Sequence, residues 1–266
     1  MKIMLNKMPN ELKNNNSESA QETSSNLKKI MDLSSTNADA DQKETIIKVR
    51  NLNKSYQLYK QEIPALVDIN LDILKGEFVA IIGHSGSGKT TLLNLLGLID
   101  NPTSGEIWIN NQNTQNLSEN EKVFFRLNFT GFIFQFFNLL ENFSAIENIA
   151  FQLRLQGYNN HVSRERALEI LKFLGLEEKA NRYPRELSGG EQQRIAVGRA
   201  LAKDSILILA DEPTANLDSS NGQNLISILK KINTQFKKTI ILVTHEFDYA
   251  SQATRIITIK DGRITA

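Results

Sequence analysis

A short glycine-rich segment carries the pattern of residues that binds the phosphates of a nucleotide. Gly83, Gly86, Gly88, Lys89 and Thr90 lie between two apolar runs, as expected for a strand, a loop and a helix. Glycines let several backbone N–H groups point into one concavity, and the helix adds the positive end of its dipole. Lys89 would reach the β- and γ-phosphates, and the Thr90 hydroxyl is placed for Mg²⁺. Such a turn can serve packing alone, but the complete pattern predicts ATP or GTP binding.

Two adjacent carboxylates follow a second apolar run. Residues 206–210 are all apolar and rich in branched side chains, which favours a strand buried on both faces of a parallel sheet. Asp211 and Glu212 end this strand, at the edge where α/β sheets hold their ligands. We expect Asp211 to bind the metal, directly or through water, and Glu212 to polarise the water that attacks the γ-phosphate. Standing alone, Glu212 would be interpreted as a helix-capping acid or a solvated loop charge.

A third segment opens a helix with glycines but has no nucleotide-binding residues beside it in the sequence. Ser188, Gly189 and Gly190 follow Leu187 and precede Glu191. Their amides would form an anion site at a helix N-terminus. The simplest interpretation is that this segment closes over a nucleotide held by another subunit, so that two copies form an ATP-driven clamp.

The three segments, together with Gln135, His245 and residues 216–218, occur in the order and spacing of an ABC-type ATPase subunit. The chain resembles this family over about residues 46–266. The resemblance implies an α/β P-loop NTPase fold of ABC type. In that fold a mixed core sheet is flanked by helices and joined to an antiparallel β-subdomain and an inserted α-helical lobe.

Two stretches look most like one bacterial branch of the family, namely residues 131–140 and 211–218. That branch contains the lipoprotein-releasing, macrolide-efflux and antimicrobial-peptide export ATPases, whose membrane permease would be a separate chain here. An alternative is an ATPase that acts with a membrane partner on cell-wall hydrolysis during division. A soluble ATPase of translation or repair would need two cassettes or a long coiled coil, and a structural nucleotide-binding module would not need every catalytic position filled.

The resemblance also assigns roles to individual residues. Tyr56 matches the aromatic residue that stacks on adenine, although it could be an ordinary tyrosine at a strand end. His245 matches the histidine that contacts the γ-phosphate, although a lone histidine after a strand is more often a bystander. Asp218 matches the loop between the two sites, and Gln135, a neutral amide, matches the residue that contacts Mg²⁺ and the water.

The predicted site therefore has three groups of residues. The catalytic residues are Lys89, Gln135, Glu212 and His245, and the metal ligands are Thr90, Gln135 and Asp211. The residues predicted to bind the nucleotide are Tyr56, Gly83, His84, Ser85, Gly86, Ser87, Gly88, Lys89, Thr90, Thr91, Ser188, Gly189, Gly190, Glu191 and Asp218. The expected cofactors are ATP and Mg²⁺.

Local patterns predict the elements that position these residues. Strands are expected at residues 46–50, 65–73, 78–82, 105–109, 131–134 and 239–243, and a hairpin at Asp261 and Gly262. Ser144 and Glu147 form a capping box that opens a helix over residues 145–155, and a second helix is expected over residues 164–174. These helices belong to the predicted helical lobe, about residues 136–187.

Composition limits the partners of the chain. The 266 residues carry a net charge of +1, so nothing favours a nucleic acid as a general partner. There is no cysteine, and no apolar stretch reaches the roughly 18–20 residues needed to span a bilayer. We therefore expect a peripheral protein on the cytoplasmic face of the cell membrane, bound to a permease and to a second ATPase subunit, most simply a homodimer.

The N-terminal residues differ from the rest of the chain. Residues 1–44 have no glycine and no aromatic residue, and they are rich in asparagine and serine. Such a segment cannot bury enough apolar area to offset its loss of conformational entropy. We predict a disordered N-terminal extension, or a contact arm, followed by one ATPase domain over residues 45–266.

Aromatic residues crowd the sequence around Gln135. Most would belong to the core that joins the sheet to the lobe. Phe136, Phe137, Leu139 and Leu140 follow a polar catalytic residue, however, and are too many for a loop without a partner. We predict that some of them line an apolar groove that receives a short cytoplasmic helix of a membrane protein.

Overall fold

The computed structural model describes residues 44–59, 61–203 and 205–265. The predicted extension over residues 1–44 therefore lies outside the described residues except for Glu44. The strands are β1 (Thr45–Leu58), β2 (Gln61–Leu74), β3 (Phe78–Ile82), β4 (Ser104–Ile109), β5 (Gln112–Asn113), β6 (Thr130–Ile133), β7 (Leu207–Asp211), β8 (Thr239–Val243), β9 (Arg255–Lys260) and β10 (Arg263–Ile264). The α-helices are α1 (Lys89–Leu96), α2 (Glu119–Phe129), α3 (Ala145–Leu155), α4 (Asn160–Phe173), α5 (Gly189–Ala202), α6 (Ser219–Phe236) and α7 (Phe247–Ala250).

One sheet is antiparallel, with the strand order β2-β1-β4-β5. Strands β1 and β2 are longer than predicted, because their polar outer halves continue to pair as a ribbon up to Leu58 opposite Gln61. This ribbon carries Tyr56, which lies opposite Ile63. The predicted antiparallel β-subdomain corresponds to this sheet.

The second sheet has the order β10-β9-β3-β8-β7-β6 and is mixed. Strands β9, β3, β8, β7 and β6 are parallel, whereas β10 folds back on β9 in the expected C-terminal hairpin. Val243 pairs with both Ile81 and Asp211, so three central strands end at the same level. The loops that follow them therefore meet at one edge of the sheet, where α/β folds bind ligands.

Helices α3, α4 and α5 form a block against one face of this sheet. Helix α3 has the predicted bounds, because the Glu147 carboxylate accepts the Ser144 N–H at 2.8 Å. Helix α4 begins four residues earlier than predicted, since the Asn159 side chain caps it by accepting the Val162 N–H at 2.9 Å. Helix α2 was not predicted, although its capping box is visible in the sequence as Ser118 and Glu121.

Helix α5 packs closely on its neighbours at Gly198. A Cβ atom there would lie 2.7 Å from Ile149 Cδ1 of α3 and 3.0 Å from Leu174 Cδ1. The glycine, which weakens a helix interior by about 1 kcal/mol relative to alanine, thus permits this close contact. None of the described helices is both long and apolar enough to cross a bilayer.

Candidate functional site

The phosphate loop joins β3 to α1 and is shaped by its glycines. Gly86 and Gly88 have φ values of +76° and +105°, which favour glycine. A Cβ atom at Gly88 would also lie 2.6 Å from the Ala65 carbonyl oxygen. Helix α1 begins after Gly88 without a side-chain cap, so its first N–H groups are not used by a neighbouring side chain. The loop therefore offers backbone donors to an anion.

Lys89 is buried beneath this loop. Its Nζ atom donates hydrogen bonds to the carbonyl oxygens of Gly83 at 2.9 Å and His84 at 3.0 Å. The same atom lies 4.0 Å from Glu212 Oε1. The ammonium group is thus held at the loop that would receive phosphates.

The carboxylates that end β7 face the same loop. Thr90 Oγ1 donates a hydrogen bond to Asp211 Oδ1 at 3.0 Å. Burial raises the pKa of Asp211, and the neighbouring charge of Glu212 raises it further, while the Thr90 hydrogen bond and Lys89 oppose this. Glu212 has a φ of +44°, a left-handed conformation that is strained for a residue with a side chain.

Glu212 lies between two potential cationic groups. Its Oε2 atom is 2.9 Å from His245 Nδ1, and its Oε1 atom is the one that faces Lys89. The Glu212 side chain is 17% exposed, whereas that of His245 is 59% exposed. A carboxylate placed in this way can accept a hydrogen bond from a water molecule that enters the cavity.

Lys89, Thr90, Glu212 and His245 line one cavity of about 890 Å³, whereas Asp211 is not among its lining residues. Its lining residues are Ile82, Gly83, His84, Ser85, Gly86, Lys89, Thr90, Gln135, Glu212, Ala215, His245, Thr258, Ile259, Lys260 and Thr265. The fold thus brings together the predicted catalytic residues Lys89, Gln135, Glu212 and His245. The last strands of the core sheet, which supply Thr258–Lys260, also line the cavity and were not predicted to do so.

The remaining residues of the phosphate loop lie beside this cavity. The Ser87 hydroxyl is buried and forms no hydrogen bond within the part of the chain that the structure describes. Gly88 caps α1, and Thr91 is half-buried in its first turn. They support the loop from the helix side.

The Ser188 segment does not line the cavity. Ser188 caps α5, and Glu191 completes a capping box: its carboxylate accepts the Ser188 N–H at 2.8 Å, and Ser188 Oγ accepts the Glu191 N–H at 3.3 Å. Ser188 is exposed, Gly189 is half-buried and Gly190 is buried. The segment is thus an exposed helix N-terminus separate from the cavity of its own chain.

Tyr56 and Asp218 also lie outside the cavity lining. The Tyr56 hydroxyl donates to Asp100 Oδ2 at 2.9 Å, and Lys54 Nζ lies 4.8 Å from the centre of its ring. The ring remains 41% exposed, as a stacking surface requires. Asp218 caps α6, and hydrogen bonds led by the Asn221 backbone N–H lower its pKa to about 2.

The segment around Gln135 is held by side chains that donate hydrogen bonds to its backbone carbonyl oxygens. Gln193 Nε2 donates to the carbonyl oxygens of Phe134 at 3.1 Å and Pro213 at 2.8 Å. Asn216 Nδ2 donates to the Gln135 carbonyl oxygen at 3.0 Å. Arg199 of α5 donates to the carbonyl oxygens of Phe137 and Asn138 in the loop that follows. The role of Arg199 was not predicted, because backbone acceptors leave no pattern in the sequence.

The oxygen donors of the site suit Mg²⁺. A hydroxyl and a carboxylate, Thr90 Oγ1 and Asp211 Oδ1, lie within 3.0 Å of each other, and Gln135 lines the same cavity. Among the described residues there is no cluster of three or more His, Cys, Asp or Glu side chains that could enclose a metal. Mg²⁺ prefers such sparse oxygen sites, in which water and substrate phosphates complete its coordination.

Comparisons with known proteins agree with this geometry. The ABC transporter family matches residues 66–215. The chain is 46% identical over 224 residues to the ABC transporter ATP-binding protein MJ0796 of Methanocaldococcus jannaschii, covering 82% of this chain and 95% of that protein. A dimeric structure of MJ0796 in a post-hydrolysis state bound to ADP and Pi has a TM-score of 0.78 and 43% identity, and the match covers 83% of this chain and 97% of that one.

Two bacterial relatives are similar over the same region. The lipoprotein-releasing system ATP-binding protein LolD of Pseudoalteromonas translucida is 40% identical over 222 residues, covering 84% of this chain and 96% of its own length. The macrolide export ATP-binding/permease protein MacB of Chlorobium phaeobacteroides is 43% identical over 221 residues, or 83% of this chain but 33% of that protein.

Proposed function

Since the chain belongs to the ABC transporter family of ATP-binding proteins, we propose that it couples ATP-driven dimerisation to a separate membrane permease. It is the ATP-binding, ATP-hydrolysing subunit of an ABC transporter. The observation that carries the proposed chemistry is the convergence of Lys89, Glu212 and His245 on one cavity.

The phosphate loop and its lysine bind the nucleotide. The N–H groups of the loop and of α1 donate to the β- and γ-phosphates, and Lys89 exchanges its carbonyl partners for phosphate oxygens. Thr90, Asp211 and Gln135 would hold Mg²⁺, which neutralises phosphate charge when bound. Tyr56 stacks on the adenine ring, in keeping with its exposed face.

Glu212 is the residue that orients the attacking water. Its carboxylate is fixed at the cavity by a strained backbone and by contacts on both oxygens. The water attacks the γ-phosphate in line as the bond to ADP breaks, while Lys89 and His245 stabilise charge on the equatorial oxygens. Such a transition state needs positioning and charge more than covalent chemistry.

A second copy of the chain completes each site. Ser188 and the amides of Gly189 and Gly190 bind the γ-phosphate held by the other copy, while Asp218 lies between the two sites. The exposed position of Ser188, apart from its own cavity, supports this arrangement. A homodimer is the simplest form, as in the dimeric structure of MJ0796.

Substitution of Glu212 by glutamine tests the shared site. Glu212→Gln keeps the shape of the side chain but removes its charge, so ATP should bind and not be hydrolysed. We expect turnover to fall by about 100-fold or more and ATP-bound dimers to accumulate in light scattering, whereas ADP leaves the protein monomeric. A variant that stays monomeric with saturating ATP would refute the shared site.

The permease is proposed to bind the surface next to Gln135. Phe136 is 69% exposed and Leu140 is 38% exposed, which supports an apolar docking site. Because LolD and MacB are named for lipoprotein release and macrolide export, the partner is proposed to be a permease of that exporter type. The chain would then lie on the cytoplasmic face of the membrane.

Alanine substitutions test this surface without touching the nucleotide. Phe136→Ala with Leu140→Ala should weaken recruitment to native membranes while ATP affinity is retained, since both side chains are exposed. Phe247→Ala is the matched control. Phe247 is also exposed, at 63%, but it does not belong to the aromatic residues that surround Gln135 in the sequence. Unchanged membrane recruitment of the double variant would refute the docking site.

A further inference from the structure

The Ser188 segment carries a negative charge where it is proposed to receive a phosphate. One oxygen of the Glu191 carboxylate accepts the Ser188 N–H at 2.8 Å. A helix N-terminus contributes only about half a positive charge. The full negative charge of a carboxylate in the first turn therefore outweighs the helix dipole. On its own it would repel the γ-phosphate of the ATP that a second copy holds.

Lys179 supplies the compensating charge. It ends the short 3₁₀-helix Glu177–Lys179, and its Nζ atom lies 3.4 Å from Glu191 Oε1. The Glu191 side chain is 18% exposed and that of Lys179 is 44% exposed. The pKa of Glu191 is lowered first by the Ser188 backbone hydrogen bond and also by Lys179, against the effect of burial.

A second ion pair lies near this segment. Arg182 Nη1 lies 3.3 Å from Glu186 Oε1, so this pair adds little net charge. Among the ion pairs that the structure describes, the one that reaches α5 at its N-terminus is Lys179 with Glu191. The described ion pair that can balance the charge of Glu191 is therefore the one with Lys179.

We propose that Lys179 is a positioning residue for the nucleotide of the second copy: by neutralising Glu191, it lets the Ser188 segment accept the γ-phosphate across the dimer. This inference rests on the proposed function, because it requires two copies to share each nucleotide. In a twofold dimer the contact occurs twice. If the affinity of the contact falls roughly threefold at each of the two sites, the dimer dissociation constant rises by about tenfold.

The test uses the full chain with Glu212→Gln as the parent, and measures dimer dissociation constants at saturating Mg-ATP by analytical ultracentrifugation. Lys179→Gln should raise the constant by about tenfold at low salt, and the deficit should shrink at about 0.5 M NaCl because salt screens the charge. Glu191→Gln keeps a capping side chain without the charge. In the Glu191→Gln background, Lys179→Gln should therefore have no further effect on the dimer dissociation constant.

Lys172→Gln is the matched control, because the ion pair of Lys172 in the same region is with Glu177, at 3.2 Å, and not with a residue of α5. If Glu191→Gln weakens the dimer as much as Lys179→Gln, the ion pair is only structural and the inference is wrong. If Lys179→Gln matches the control, the inference is wrong while the shared site stands. A parent that does not dimerise with ATP refutes both.

Discussion

Helices α1 and α5 both begin at glycine-containing turns, but only α5 has a side-chain cap at its N-terminus. Helix α1 follows Gly88 with no side-chain cap and no acidic residue in its first turn. Helix α5 follows Ser188, whose capping box with Glu191 satisfies the N–H groups of these two residues within the chain. The first terminus lies in a cavity with a buried lysine, and the second is exposed.

The difference supports the proposal that one ATP site is divided between two copies. An uncapped terminus leaves backbone donors for an anion, so the α1 half can bind nucleotide within a single chain. The α5 half is stable without a ligand because its own residues cap it. It can therefore remain exposed until another copy presents a nucleotide.

The largest expected effect comes from removing the lysine of the α1 half. Lys89→Ala deletes the positive charge held at the phosphate loop, so hydrolysis should fall by at least about 100-fold. Nucleotide affinity of the isolated chain should fall as well, as measured by fluorescent ATP binding. Lys75→Ala is the control, since exposed Lys75 pairs with Glu44 on the antiparallel sheet. Full turnover by Lys89→Ala would contradict the proposed site.

A substitution in the α5 half should spare nucleotide binding but not turnover. Ser188→Arg places a long side chain at the cap of α5, so hydrolysis should fall by about 100-fold while single-chain ATP affinity stays within about twofold. Loss of single-chain affinity would show that Ser188 serves its own cavity instead.

Mixing these two variants sharpens the comparison. A mixed dimer has one complete site. The Ser188→Arg chain supplies its intact phosphate loop, and the Lys89→Ala chain supplies its intact α5 terminus. Random pairing makes half of the dimers mixed, each with one of two sites complete, so phosphate release should recover to about a quarter of the unmodified rate. No recovery on mixing would argue against independent sites, and recovery requires complementation between copies.

The smallest expected effects concern pH and two aspartates. Asp211 has a raised pKa in the folded protein, so its ionisation there is unfavourable. The folded protein therefore loses stability as the pH rises above the ordinary carboxyl pKa of about 3.9. Asp211→Asn should therefore raise the melting temperature at pH 7, with the gain disappearing at low pH.

Asp218 should behave in the opposite way. Its pKa of about 2 means that its stabilising contribution is present above about pH 4 and is lost as the pH falls towards 2. Asp218→Ala should lower the melting temperature at pH 7 by about 2–4 °C, because it removes the cap of α6. Calorimetry between pH 3 and 8 measures both; parallel pH profiles for the two variants would contradict these assignments.

Much of the architecture followed from local chemistry in the sequence. Helix α3 and strand β8 have the predicted bounds, because a capping box and an uninterrupted apolar run specify them. The ribbon of β1 and β2 was underestimated, since its polar outer halves are held by cross-strand pairing that no single segment reveals. Helix α2 was not predicted, although the capping box of Ser118 and Glu121 precedes it.

The site was predictable where side chains carry it and not where the backbone does. The residue types of the phosphate loop, Asp211 and Glu212 point directly to phosphate chemistry. The contacts of Arg199 and Gln193 with carbonyl oxygens depend on how α5 crosses the loop, which the sequence does not state. The charge balance between Lys179 and Glu191 likewise depends on tertiary proximity.

The carbonyl contacts of Arg199 have a consequence for how such a protein can diverge. Arg199 donates hydrogen bonds to the main-chain oxygens of Phe137 and Asn138. Because these bonds do not involve the side chains of the two residues, those side chains can be substituted while the bonds remain. The neighbouring glutamine would keep its place through such changes. With the proposed docking site, the same ATPase core could in this way bind a different membrane protein after changes to only the outward-facing side chains of a single loop.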